Sequence, residues 1–335
     1  DFLINLISDS NLLVKKLGLI FPPSQWATLS LANYLNFGGF SNLLFFVLIG
    51  VISFIIMIIL SESLFFDGLI GNIEVSASKG KGKKIDNKDL SRETRPYWAL
   101  AKKEIIMIFK TPVYLLNAVG GVIMIPIILV MSSVASGDQS LKAALEMMDP
   151  NSGLLLLAGA GFIVAIGMIN SIGTTTFSRE GKSLWIQRTL PIKVSDQIIG
   201  RVLSSMLIQT LGTVAFLASI AFVVRLNVFD MVLMAFLGLL GSIPMTQLGM
   251  VIDILRPMLE WDNPQKAMKQ NLNVLIGMGV GTLFLGAIGF LTIKAINKID
   301  LYLIYILLIG VFVLSTIILF NILEKLIKKQ FEILE

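Results

Sequence analysis

Seven stretches of about twenty residues constrain the fold of this chain more than any other feature, because all are mostly apolar and none contains a charged residue. They lie at 40–60, 113–132, 153–172, 202–224, 231–250, 272–293 and 301–322. A helix needs about 20 apolar residues to cross the hydrocarbon core of a bilayer. The sequence therefore predicts an all-α polytopic membrane protein with about seven transmembrane helices.

The distribution of basic residues predicts how these spans are oriented. The segments 61–112, 173–201, 251–271 and 323–335 hold 21 Lys and Arg together, whereas the alternating segments hold 6. Cytoplasmic loops of membrane proteins carry an excess of Lys and Arg. We therefore expect the first group of segments, including the tail 323–335, to be cytoplasmic, and the segment 1–39 to be extracytoplasmic.

The chain contains no Cys and no His, and only 15% of its residues are charged. It therefore lacks thiolate nucleophiles, imidazole bases and the usual zinc ligands. We expect no catalytic residue, no bound metal and no cofactor in this chain, and an intramembrane enzyme is rejected. The excess of basic residues is explained by topology, so no nucleic-acid partner is expected.

The segment 71–93 is rich in Gly, Ser, Lys and Asp and predicts a flexible part of a cytoplasmic linker at 61–93. A basic cluster that binds lipid headgroups is the alternative interpretation. An odd number of spans with an outward N-terminal segment is explained if 40–60 is the last helix of a preceding unit that is mostly missing from this sequence. The main domain boundary is then placed after the linker.

An amphipathic interfacial helix is predicted at 94–112, before the chain turns at Thr111 and Pro112. Its apolar positions follow a helical period and its basic residues are typical of membrane anchors. The apolar positions are Tyr97, Trp98, Ala101, Ile105, Ile108 and Phe109, and the basic residues are Arg95, Lys102, Lys103 and Lys110. An extension of the next span is the alternative.

The sequence Gly181-Lys182-Ser183 is similar to the end of a phosphate-binding loop. Such a loop needs Gly five residues before its Gly-Lys pair and a strand in front of it, whereas this chain has Thr176 at that position and an apolar span in front. We therefore reject ATP hydrolysis by this chain.

Two polar connectors that are predicted to be cytoplasmic share one design. The first has breaks at Gly181 and Pro191 around the apolar patch 184–186, and the second, 253–273, has two Pro breaks and Trp261. An apolar patch with charged edges is suited to docking in a groove of a partner. Turns that only anchor the chain at the membrane are the alternative.

The order of these elements, together with three local sequences, resembles the permease subunit of bacterial type-2 ATP-binding cassette exporters. The sequences are "KKEIIMIFKTPVYLLN" (102–117), "FSREGKSLWIQRTLPI" (177–192) and "DILRPMLEWDNPQKAMKQNLN" (253–273). The resemblance covers residues 94–322. It implies one exporter-type permease unit, with six helices at 113–322, preceded by an interfacial elbow helix.

The resemblance also implies partners and site residues. ATP and Mg would bind to a separate ATP-binding cassette ATPase subunit, and the chain would lie in the bacterial inner (plasma) membrane beside lipids and a first permease half or a second copy. The implied ATPase-coupling residues are Arg179, Glu180, Gly181, Leu184, Trp185, Leu190 and Pro191. The second cytoplasmic loop adds Asp253, Arg256, Pro257, Trp261, Asn263 and Lys266.

Two other functions stay open, an ion-coupled secondary transporter and a non-transporting membrane anchor or sensor subunit. Secondary transporters usually place ionisable groups near the bilayer midplane. The predicted spans hold only neutral polar groups such as Asn117, Asn170, Gln209 and Gln247. These side chains either line a transport route or join helices by hydrogen bonds, and the second role is favoured. The sequence does not indicate the transported substrate.

Overall fold

The computed structural model describes residues 21–74, 94–124, 126–128, 153–223, 226–296 and 298–333, and no strand occurs among them. We number the helices α1 (Pro22–Ala32), α2 (Phe37–Glu74), α3 (Pro96–Lys110), α4 (Pro112–Leu115, continued by a π-helical turn at Leu116–Gly120 and by 121–124 and 126–128), α5 (Leu154–Ile169), α6 (Leu184–Thr189), α7 (Val194–Val223), α8 (Val228–Leu255), α9 (Pro264–Met268), α10 (Leu272–Ile296) and α11 (Leu301–Ile333).

Six helical segments are long and apolar enough to cross a membrane, and each corresponds to a predicted span. They are Phe37–Glu62, Leu154–Thr189, Val194–Ala221, Val228–Leu255, Pro264–Ile296 and Leu301–Phe331. A seventh is counted if the bent pair Pro96–Lys110 and Pro112–Ile128 is one span. The prediction of an all-α polytopic membrane protein is confirmed. Residues 125 and 129–132 of the predicted span 113–132 lie outside the described residues.

The described residues form two compact units, one from 21–74 and the other from Thr94 onward. In the first unit α1 packs against α2, and the rings of Trp26 and Phe45 lie 5.8 Å apart. The helix α2 continues to Glu74, past the predicted start of the linker at residue 61. The rest of that linker, 75–93, lies outside the described residues.

The second unit is built around α8, which packs against α5, α7, α10 and α11. Small residues permit this packing, as is usual where membrane helices meet without a hydrophobic driving force. A Cβ atom on Gly238 would lie 2.6 Å from the Cβ of Ile163, so only glycine permits this approach of α8 to α5. A buried apolar core that includes Ile163, Ile166 and Met234 fills the space between the helices.

Helix α3 packs along α7 and meets α4 at an angle of 99°, so α3 is not a straight extension of α4. Thr111 is extended and Pro112 begins α4, where a missing N–H group costs nothing. The buried face of α3 consists of Leu100, Ala101, Glu104 and Ile108. Trp98 and Phe109, which the helical period assigns to the face of Ala101, are about half exposed. The buried face of α3 thus differs from the predicted apolar face, and the carboxylate of Glu104 lies at its centre.

Candidate functional site

The two polar connectors meet at one end of the second unit, which we call the connector end. The first connector joins α5 to α7 and consists of 3-10 turns at Gly173–Thr175 and Ser178–Ser183, followed by α6. The second joins α8 to α10 and contains α9. Their short turns pack against α3, α7 and α8 rather than extending away from the bundle. The buried side chains of the connectors are therefore held by contacts with several helices.

A charged cluster lies beneath the first connector and consists of Glu104, Arg179, Glu180 and Arg201, all of them buried. Arg179 Nη2 lies 2.8 Å from Glu104 Oε2, and Arg201 Nη1 lies 3.3 Å from Glu104 Oε1. Arg201 Nη2 also lies 2.6 Å from Glu180 Oε1. At the edge, the partly exposed Lys103 is 3.3 Å from the same oxygen. Each buried charge therefore has an opposite charge at contact distance, which joins α3, α7 and the first connector.

Hydrogen bonds satisfy much of the remaining capacity of the two guanidinium groups. Arg179 Nη1 donates to the Ile172 carbonyl oxygen at 3.1 Å and to Thr175 Oγ1 at 2.9 Å. Arg201 Nη1 donates to the carbonyl and hydroxyl oxygens of Thr176, both at 2.9 Å, and its guanidinium carbon lies 4.3 Å from the ring centre of Phe177. Buried charges are tolerated when they are paired and hydrogen-bonded in this way. Two buried atoms, Arg179 Nε and Glu180 Oε2, lack a hydrogen-bond partner among the described residues.

Asp253 is a second buried junction, which connects the first connector to α8 and α10. Its Oδ2 accepts hydrogen bonds from the backbone N–H groups of Phe177 at 2.6 Å and Ser178 at 3.0 Å. Its Oδ1 accepts from the Ser178 hydroxyl and from Asn273 Nδ2, the latter at 2.9 Å. The same Asn273 group donates to the carbonyl oxygen of Arg256 in the second connector at 2.8 Å. One carboxylate therefore joins both connectors and two spans.

Trp261 of the second connector packs on Gly181 of the first. Its indole N–H donates to the Ser178 carbonyl oxygen at 2.8 Å. Gly181 has φ of +52°, and a Cβ atom there would lie 2.9 Å from the indole ring. Both the backbone conformation and the close approach of the ring require glycine at this position. Gly181 therefore serves the packing of the two connectors.

The exposed surface of the first connector is apolar at its centre. Trp185 is 61% exposed, and Ile186, Leu190 and Pro191 are also exposed. Leu184, in contrast, is buried in a core cluster beneath α6. We call Trp185, Ile186 and Leu190 the apolar knob. Exposed Lys182 and Lys193 lie on either side of it in the sequence.

The second connector presents a more polar surface. Arg256 is exposed and Pro257 is partly buried. The side chain of Asn263 accepts a hydrogen bond from the Gln265 N–H at 2.9 Å and caps α9. Lys266 pairs with Asp262 at 2.7 Å, and its hydrogen bond lowers the pKa of that carboxyl. Both side chains are solvent-accessible, so this ion pair contributes little to stability.

The structure therefore divides the predicted coupling residues into two groups. Trp185, Leu190 and Pro191 are exposed, whereas Arg179, Glu180, Gly181 and Leu184 are buried and hold the first connector in place. Asp253, predicted as part of the second cytoplasmic loop, is also buried. The sequence did not identify Glu104, Arg201, Ser178 or Asn273 as parts of this site. The signal for the first two was present, because Glu104 is an acidic residue in a basic amphipathic segment and Arg201 lies at the edge of a span.

The neutral polar side chains within the spans mostly bond other helices or their own helix. Gln209 Nε2 donates to the Ile163 carbonyl oxygen at 2.7 Å, and Asn170 Nδ2 donates to Gln209 Oε1 at 3.4 Å, which ties α5 to α7. Asn117 donates within α4 at 2.6 Å, and Gln247 Oε1 is buried without a partner among the described residues. In the part of the chain that the structure describes, no three acidic side chains group to form a metal site.

Comparisons with protein-family models, with curated proteins and with solved structures found no match to this chain.

Proposed function

We propose that this chain is the membrane-spanning permease subunit of an ATP-driven exporter and that a separate ATPase subunit hydrolyses ATP. The observation that carries the proposal is the apolar knob of the first connector. The knob is exposed, and the part of the connector beneath it is held by the buried ion pairs of the charged cluster. In this account the knob docks in a groove of the ATPase, because a short helix with exposed apolar side chains is a common form of groove recognition. The connector end then lies in the cytoplasm of a bacterial cell.

The buried contacts beneath the knob support a coupling role. A loop that only anchors the chain at a membrane needs exposed aromatic and basic residues, and it needs no buried contacts with the helices behind it. Here the charged cluster fixes the first connector to α3 and α7, and Asp253 fixes it to α8 and α10. Movement of the knob by a partner would therefore move several spans together, as transport driven from outside the membrane requires.

The position of the buried charges favours this function over ion-coupled transport. Ion-coupled transporters bind or relay ions through ionisable groups near the bilayer midplane. In the described part of this chain, the buried carboxylate and guanidinium groups of the second unit lie at the connector end and are occupied with ion pairs and hydrogen bonds within the chain. These groups are consequently engaged in holding the connectors.

Trp185→Ala tests the docking role of the knob. A central aromatic anchor contributes about 2 kcal/mol or more to binding, so we expect the affinity for the ATPase to fall roughly thirtyfold. The stability of the chain itself should not change, because the side chain is largely exposed. Affinity is measured by titrating purified ATP-binding cassette ATPase subunits from the same organism against the chain in nanodiscs.

Phe229→Ala is the matched control, since Phe229 is a 69% exposed aromatic residue at the start of α8, away from both connectors. It should leave the affinity unchanged. Equal affinities of the Trp185→Ala chain and the unaltered chain would mean that the first connector only anchors the protein at the membrane.

Single cysteines test the proposed orientation, and the chain has no Cys of its own to interfere. We expect a cysteine at Lys266 or Lys83 to react with an impermeant maleimide only after the membrane is opened, and a cysteine at Asp138 to react in intact cells. The reason is the excess of Lys and Arg in the segments that contain Lys83 and Lys266, compared with the segment that contains Asp138. Lys83 and Asp138 lie outside the described residues. Labelling of position 266 in intact cells would contradict the orientation.

A further inference from the structure

A cavity of about 310 Å³ lies between α5, α8, α10 and α11 in the second unit. Its walls include Leu157 and Gly161 of α5, Leu285 and Gly289 of α10, and Phe312 of α11. The connectors are attached to the end of α5 and to the start of α10. The cavity is lined by the beginning of α5 and by the second half of α10, so it lies at the opposite end of the bundle. The cavity is thus separate from the connector end.

The chemistry of the cavity is that of hydrocarbon. Thr292 is the single polar side chain among the described lining residues, and its hydroxyl already donates to the Ile288 carbonyl oxygen of its own helix at 2.8 Å. Water is retained in a cavity only where several polar groups bond it. An empty cavity would lose the van der Waals contacts of its walls. An apolar occupant is therefore favoured over water and over a void.

The position of the cavity indicates the source of that occupant. Ile293 on its wall is 70% exposed and Ala158 is also exposed, so the cavity opens on the outer surface of the spans. That surface faces lipid tails, because the helices on both sides cross the hydrocarbon core. Along α10 the cavity extends from Leu285 to Ile296, which is about 16 Å of helix. One leaflet of the hydrocarbon core is about 15 Å thick, so this length suits one acyl chain.

We propose that this cavity binds one acyl chain of a membrane lipid from the leaflet opposite the connectors. Two glycines keep the space open, since a Cβ atom on Gly161 or Gly289 would have no neighbour within 4 Å. Larger side chains at either position would fit sterically in this chain, but they would occupy the volume that the acyl chain needs. The site does not depend on the presence of an ATPase.

Photolabelling tests the proposal directly. The full chain is placed in nanodiscs that contain phosphatidylcholine with a diazirine in the middle of one acyl chain, is irradiated, and is mapped by mass spectrometry. We expect the label to concentrate on the walls at 154–164 and 285–296. Gly289→Leu should reduce labelling at 154–164 by about tenfold, because a side chain built into a site excludes the competing occupant.

Gly286→Leu is the matched control. It lies on the same helix, also has no neighbour within 4 Å, and is not part of the cavity wall, so it makes the same change in helix propensity without filling the cavity. Its labelling should equal that of the unaltered chain. Three results would overturn the proposal: labelling spread evenly over exposed positions of α10 such as Leu283, equal labelling in both variants, or no labelling at 154–164 because protein covers the opening.

Discussion

Replacing Arg201 by alanine is expected to destabilise the second unit by about 3–5 kcal/mol, the cost of leaving a partner of a buried ion pair without its opposite charge. Arg201 contacts both buried carboxylates, Glu104 and Glu180, and its loss leaves Arg179 as the remaining buried cation of the cluster. The free energy of unfolding in mixed detergent micelles measures the effect.

Lys103→Ala is the control, because this residue also pairs with Glu180 but is about half exposed. Water screens the partly exposed ammonium group of Lys103, and Glu180 keeps its shorter contact with Arg201, so the control should lose only about 1 kcal/mol. A loss for Arg201→Ala as small as that for Lys103→Ala would show that the cluster does not hold the first connector.

Asp253→Ala is expected to lower the free energy of unfolding by about 3 kcal/mol or more. The substitution removes the acceptor of two backbone N–H groups, at Phe177 and Ser178, and of the Asn273 side chain. Each buried donor left without an acceptor costs about 1–3 kcal/mol. The first connector should also loosen, which tryptic cleavage after the exposed Lys182 would report as a faster rate.

Asp253→Asn separates the loss of acceptors from the loss of volume. The asparagine keeps the shape of the side chain and one acceptor oxygen, and replaces the other oxygen with a donor. Its stability should therefore lie between that of the unaltered chain and that of Asp253→Ala. Unchanged stability and unchanged cleavage in Asp253→Ala would contradict the role of this carboxylate as a junction.

The spans could be predicted from the sequence because the bilayer permits few solutions. A backbone in hydrocarbon must satisfy its own hydrogen bonds, so a long uncharged apolar run is a helix. The end of α2 could not be predicted in this way, since hydropathy marks where the apolar run stops at Leu60 and not where the helical hydrogen bonds stop at Glu74.

The connectors were recognised by composition, but their inner and outer faces were not. Gly181, with φ of +52°, breaks the helical period just before α6, and this break places Leu184 inside and Trp185 outside. The partners of Glu104 were also out of reach, because Arg179 and Arg201 are 75 and 97 positions away in the sequence. Local periodicity carries no information about such distant pairs.

These buried contacts determine which residues can report on a partner. A substitution at Glu180 or Leu184 changes the support of the first connector, and loss of function there would follow from altered packing. Substitutions at Trp185 or Leu190 change mainly the exposed surface, since both side chains are exposed. The docking hypothesis is therefore best tested at the apolar knob.

Site-specific photocrosslinking at position 185 tests the central claim most directly. A photoreactive phenylalanine analogue replaces Trp185 in the full chain, which is expressed in its native cells together with their ATP-binding cassette ATPase subunits, and the same analogue at Phe229 is the control. The account predicts that position 185 crosslinks to the ATPase and that position 229 does not. Crosslinks from position 185 to lipid alone, while the ATPase is present in the same membranes, would contradict the assignment of the first connector as its docking surface.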